Sequence, residues 1–212
     1  RIVAVEALEC PTMLYNGFGE HNIQGIGDKH IPLIHNVTNT DVVVAVTDRA
    51  TNGLNLAFTT DEGKAHLVEE VGVDPTVVDQ LRHFGLSSIC NTLAAIKMAR
   101  ALDLGPEDMI VTVATDGSEL YESEKQQLAS EQYPDGFSRP AAAATFNEHL
   151  MGADTAHVEV LDEVGCNRIF NLGYYTWVEQ QGVEFSDFEV RRDQAFWRHV
   201  QGLAPAWDAL ID

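Results

Sequence analysis

Three short stretches combine residue types suited to holding a small molecule. The first is Gln24-Gly25-Ile26-Gly27, followed shortly by Ile31-Pro32. Glycine adopts backbone angles closed to other residues and lets a ligand approach the main chain, so this stretch reads as a fixed loop lining a pocket. The second is Gly85-Leu86-Ser87-Ser88, at the head of an apolar helical run. A helix start offers free N–H donors and the positive end of the helix dipole, which suits an anion; Ser88 capping its own helix is the plainer alternative. The third is Ala114-Thr115-Asp116-Gly117-Ser118, a hydroxyl-bearing turn behind a strand-like run. All three fall at junctions of strands, loops and helices, where open α/β sheets bind ligands outside the carboxyl ends of their strands.

The eight histidines invite a test for metal binding. His30 and His35 are five apart, with His21 and Cys10 upstream, and no pair has the helical i, i+4 or finger spacing of a zinc site. No metal site is expected. Cys10, Cys90 and Cys166 are odd in number and widely spaced, which fits a reducing cytoplasm better than a disulfide framework. Cys90, within an apolar helical run, reads as a small core residue.

The elements that must position these stretches follow from periodicity. Arg1–Ala7 and Asp41–Thr47 are near-continuous apolar runs, the pattern of strands buried on both faces, and Met109–Ala114 is read as a third. Asp48 is expected to cap a helix over Arg49–Phe58, and Asp74 with Pro75 to open another reaching Phe84. Ile89–Leu102 carries the clearest helical stripe, capped by Ser87 or Ser88 and closed by Gly105-Pro106. Alternating strands and helices predict an α/β fold: a mainly parallel sheet with flanking helices in three layers, αβα. Beyond Tyr121 the character changes, with one late strand at Val158–Leu161 and aromatic-rich helices over Cys166–Gln181 and Asp187–Gly202. Residues 1–125 are thus expected to belong to an α/β domain, and residues 126–212 to form a mostly helical extension packed on it.

In order, Val3-Ala4-Val5-Glu6-Ala7, Gln24–Gly27 with Ile31-Pro32, Val44–Asp48, Gly85–Ser88, and Thr115–Ser118 with Tyr121 resemble the later part of a known family. It is the cysteine synthase and cystathionine β-synthase family of pyridoxal-phosphate enzymes, with the tryptophan synthase β-like fold. The resemblance covers about residues 1–125 and is most specific over Gln24–Pro32. It implies pyridoxal 5'-phosphate as cofactor, bordered by Gln24, Gly25, Ile26 and Gly27. It also implies a hydroxyl meeting the pyridine nitrogen from the turn after the last strand. Gly117 stands at the serine position of an ungapped match, so Thr115 or Ser118 must substitute or the contact is absent; Ile89 likewise replaces a family glycine. The family's Schiff-base lysine and Gly/Thr-rich phosphate loop precede the strand at which this chain starts. Lys29, Lys64, Lys97 and Lys125 match no such motif.

Charge and length restrict the remaining classes. With 13 basic and 33 acidic residues the net charge is −20, which argues against a nucleic-acid binder and against anionic membranes. No apolar run approaches the roughly 20 residues of a membrane-spanning helix. The absent initiator Met and the buried-looking strand at residue 1 point to a piece of something longer. The expected function is therefore the C-terminal part of a β-elimination or β-replacement enzyme acting on a serine- or cysteine-type amino acid. Its lysine would come from an N-terminal half or a partner subunit, in a homo-oligomeric assembly. A non-catalytic regulatory or assembly subunit that kept the fold is the alternative, and a stand-alone α/β binding protein the third reading.

Overall fold

The computed structural model describes residues 1–211. Its sheet has three strands in the order β1-β2-β3. β1 (Val3–Ala7) runs parallel to β2 (Val42–Val46), with Val3 opposite Val42 and Ala7 opposite Val46. β3 (Val158–Val160) is antiparallel to the other edge of β2, pairing Val42 with Val160 and Val44 with Val158.

β2 is central because every one of its side chains can be buried. Successive side chains on a strand face opposite ways. Val42, Val44 and Val46 enter one core, and Val43 and Ala45 enter another. The first core is closed by α2 (Asp48–Thr59), α3 (Asp61–Glu69), α4 (Pro75–Gln80), α5 (Leu86–Ala101), α6 (Glu122–Gln132) and α7 (Arg139–Phe146). The short α1 (Thr12–Tyr15), α8 (Glu163–Tyr174) and α9 (Phe185–Glu189) supply Leu14, Ile169, Phe170 and Phe188 to the second. α10 (Gln194–Gln201) and α11 (Ala204–Ile211) follow.

The expected mainly parallel sheet in a three-layer αβα fold is overturned. Helix accounts for 58% of the structure, and the sheet is small and mixed. The decisive difference is Met109–Ala114, which joins no strand pair. Its valines and isoleucine satisfy the composition of a strand, but a ladder also needs a neighbour at about 4.8 Å. Among the described residues no strand occupies that place.

Local capping also departs from expectation. Thr47, not Asp48, caps α2, its hydroxyl accepting from the Ala50 N–H. α5 starts three residues earlier than the stripe indicated, at Leu86, with Gly85 before it and no side-chain cap. Asp74 does cap α4, accepting from the Thr76 N–H, with Pro75 in the first turn. The run Val158–Leu161 supplies β3, and Cys90 is a fully buried core residue. In the aromatic tail Trp177 packs on the second core and donates from Nε1 to the Ile31 carbonyl, whereas Trp207 is exposed.

Candidate functional site

Because β1 and β2 are parallel, their carboxyl ends lie side by side, and the chain leaves each with an acid. Glu9 follows β1 and Asp48 follows β2. The Glu9 Oε2 atom accepts a hydrogen bond from the Asp48 N–H at 3.0 Å. Asp48 in turn accepts from the N–H groups of Asn22 (2.7 Å) and Ile23 (3.1 Å), which ties the glycine loop to the end of β2. Asn22 Nδ2 donates to Asn52 Oδ1 on α2 at 3.1 Å. Burial raises the Glu9 carboxyl above its usual range, opposed by the Asp48 N–H; the negative charge of Asp48 adds to the rise.

The glycine loop is held at three further points. Ile23 is fully buried, Ile26 packs against the first core, and the Asp28 carbonyl accepts from the Thr12 hydroxyl at 2.6 Å. Gly25 and Gly27 both have positive φ, at 77° and 86°, the left-handed region that favours glycine. Gly27 also lies directly on the end of β1: a Cβ there would come within 3.3 Å of the Ala7 nitrogen. Gly25 faces open space. Between the loop and β1 is a cleft of about 410 Å³, lined by Val5, Glu6, Gly25, Gly27, His30 and His35 among others. Glu6 is almost fully buried, accepts from the N–H groups of Met13 and Leu14, and is pushed up in pKa by that burial. It holds the start of α1 in place and is positioned as a structural carboxylate.

The predicted hydroxyl turn lies elsewhere. Thr115 Oγ1 pairs with Ser87 Oγ at 2.8 Å, and the Asp116 carbonyl accepts from the Gly85 N–H at 2.9 Å. Asp116 also accepts from the Tyr121 hydroxyl at 2.6 Å. The turn thus folds onto the start of α5, with the Asp116 carboxylate against Gly85, where an external anion was expected. Ser118 is buried and donates to Oδ1 of Asn55 on α2. Of the predicted residues, Gln24, Gly25, Ile26 and Gly27 share one loop, and Thr115 and Ser118 share another. The cleft lined by Gly25 and Gly27 includes neither Thr115 nor Ser118.

A neighbouring cleft of about 500 Å³ opens beside the loop and was not foreseen from sequence. Glu9, Glu20, Asp48, Glu124 and Glu131 line it, with His21 and Arg49. So many carboxylates in one cleft oppose a phosphate dianion. Only the pairing of β1 with β2 brings Glu9 and Asp48 together. Among the described residues no group of three His, Cys, Asp or Glu is placed to hold a metal ion.

As folded, these residues do not make a complete pyridoxal phosphate site. The hydroxyl of Ser118 is spent inside the core, and Thr115 is turned to Ser87. Lys64, Lys97 and Lys125 sit in ion pairs with Asp79, Asp154 and Glu122. Lys29 is exposed on the loop, outside the residues lining the adjoining cleft. Among the described residues no helix is long and apolar enough to cross a membrane. Compared with known proteins, the chain matches no family model, no curated protein and no solved structure.

Proposed function

We propose that this chain carries the substrate-facing loop, but not the catalytic lysine, of a pyridoxal-phosphate-dependent enzyme acting on a serine- or cysteine-type amino acid. The reaction class is β-elimination or β-replacement. The observation that carries the reading is the position of Gln24–Gly27: a glycine-bearing loop whose Gly27 lies against the carboxyl end of β1, led in by Asn22 and Ile23, whose N–H groups Asp48 holds. The order of sequence motifs supports it. The cofactor would supply the electron sink for this chemistry, and a polypeptide outside these residues would supply its lysine and phosphate-binding loop. This chain's share is confined to shaping the cleft with Gly25 and Gly27 and to holding the loop through Asp48.

A second reading, a non-catalytic regulatory or assembly subunit, is favoured by one observation. Ser118 is committed to Asn55 and so is not free to meet a cofactor ring. Visible absorbance of the assembly purified from its natural source separates the two. The catalytic reading expects a band removed by hydroxylamine; its absence favours the non-catalytic subunit.

A further inference from the structure

A further cleft, of about 450 Å³, opens where β2 ends at Val46 and Thr47, and Glu9 lines it as it lines the acidic one. Parallel strands bind ligands outside their carboxyl ends, and two histidines reach this end through unusual backbone. His149 lies in a π-helical turn, Asn147–Met151, a geometry found frequently at functional sites. His157 has a positive φ of 58°, uncommon outside glycine, and its carbonyl accepts the Ala45 N–H at 2.9 Å. Arg100 donates to the Met151 and Ala153 carbonyls, which fastens the chain between the two histidines onto α5. Both rings keep unused nitrogens. The Glu148 Oε1 atom stands 4.0 Å from His149 Nε2, too far for a hydrogen bond. Burial, aided by the charge of Arg49 and opposed by Glu148, holds the His149 pKa below 6.5, so the ring is neutral at pH 7. His157 pairs Nδ1 with the Tyr15 hydroxyl at 2.9 Å, which leaves its Nε2.

The charges at the cleft do not balance. Glu9, Glu148 and Asp154 line it with Arg49 and Lys97. Arg49 pairs with Glu148 at 2.9 Å, and Lys97 with Asp154 at 3.2 Å. Among the described residues no cation pairs with Glu9, whose carboxylate accepts the Asp48 N–H instead. The Lys97 side chain is only 11% exposed, and its ammonium spends one of three donors on Asp154, an exposed acid. The unmet requirements are a positive group for Glu9, a negative acceptor for Lys97, and hydrogen-bond partners for two imidazoles. A lone cation leaves Lys97 idle. A lone anion meets three carboxylates, and an apolar molecule strips water from charges without replacing it. A small molecule carrying both charges answers every requirement.

We infer that this cleft binds a small α-amino acid as its zwitterion, with the ammonium on Glu9 and the carboxylate on Lys97 and His149. His157 is left to a polar group on the ligand's side chain. The binding is non-covalent, and the two ion pairs of the lining stay in place. This proposal is independent of the cofactor reading, since it needs neither the glycine loop nor the hydroxyl turn. It also accounts for two histidines carried by unusual backbone to one end of β2.

The test is NMR of the full chain with labelled histidine, which reads the two rings directly. L-serine is the probe, and ethanolamine and 3-hydroxypropanoate are the same molecule without its carboxylate or without its ammonium. Millimolar serine should shift the His149 and His157 signals saturably. It should also raise the His149 pKa, because a carboxylate beside an imidazole favours the charged ring. Each half-molecule should bind about tenfold more weakly or worse, having lost one charged contact. Glu9→Gln keeps an acceptor for the Asp48 N–H, and Lys97→Met keeps the buried stem; each should weaken serine by a similar factor. The comparison of serine with its halves uses the parent chain and so holds even where a variant fails to fold. No saturable shift of the two rings, equal binding of either half-molecule, or unchanged binding in either folded variant would overturn the proposal.

Discussion

The carboxylate of Glu9 accepts the backbone N–H of Asp48, so the two acids that follow β1 and β2 are joined across the carboxyl end of the parallel pair. That contact leaves the Asp48 carboxylate free to hold the Asn22 and Ile23 N–H groups. Asp48→Ala should therefore release the glycine loop while leaving the strands paired. A cost of about 1–3 kcal/mol is expected in urea unfolding, from two amides without an acceptor. Faster exchange confined to the Asn22 and Ile23 amides would locate the effect.

Ser118 should prove structural rather than ligand-facing. Ser118→Ala leaves the buried Asn55 Oδ1 without its donor, at a cost of about 1–3 kcal/mol. Thr115→Val should cost less, because Thr115 is exposed and Asn55 keeps its donor. Equal stability of Ser118→Ala and the parent protein would contradict the burial described.

The aromatic tail divides into a core part and a surface part. Phe170 and Phe188 pack with centroids 4.7 Å apart and planes tilted by 54°, and share the core on the Val43–Ala45 face of β2. Phe170→Ala should lower stability by about 3–5 kcal/mol, measured by denaturant unfolding. Trp207→Ser, at a half-exposed position, should change it by less than about 0.5 kcal/mol.

Acid should act through His35. Burial, and then the positive charge of Arg191, hold its pKa below 6.5. A group depressed in the folded state stabilises above its unfolded pKa, and that contribution is lost as pH falls through the folded value. Burial depresses His149 in the same direction, while Glu6 and Glu9, raised by burial, act oppositely. The informative quantity is therefore a difference. Between about pH 7.5 and 5, the urea midpoint of the parent should fall more than that of His35→Gln.

The sequence made β2 legible because Val42–Val46 is apolar on both faces, and buried central strands look like that. Ile110-Val111-Thr112-Val113 looks the same, yet forms no strand, since pairing depends on a neighbour that local composition does not encode. The loop at Gln24–Gly27 was readable from its glycines, but its place against the end of β1 was not, since it is held through Asp48, 25 residues beyond Ile23. The acids around it were not. Glu9 and Asp48 are 39 residues apart and meet only through strand pairing, and Asp48 passed for a helix cap one residue beyond the true one, Thr47. Ser118 was misplaced for a similar reason, as its partner Asn55 lies 63 residues away on α2.

The proposed function stands on where the pyridoxyl group is attached. The assembly purified from its natural source should be reduced with borohydride, digested and mapped by mass spectrometry. The account predicts one pyridoxyl-lysine on a peptide that matches no part of residues 1–212, co-purifying with this chain, and none at Lys29, Lys64, Lys97 or Lys125. A stoichiometric label on any of those four lysines, or an assembly with no pyridoxyl label at all, would contradict it.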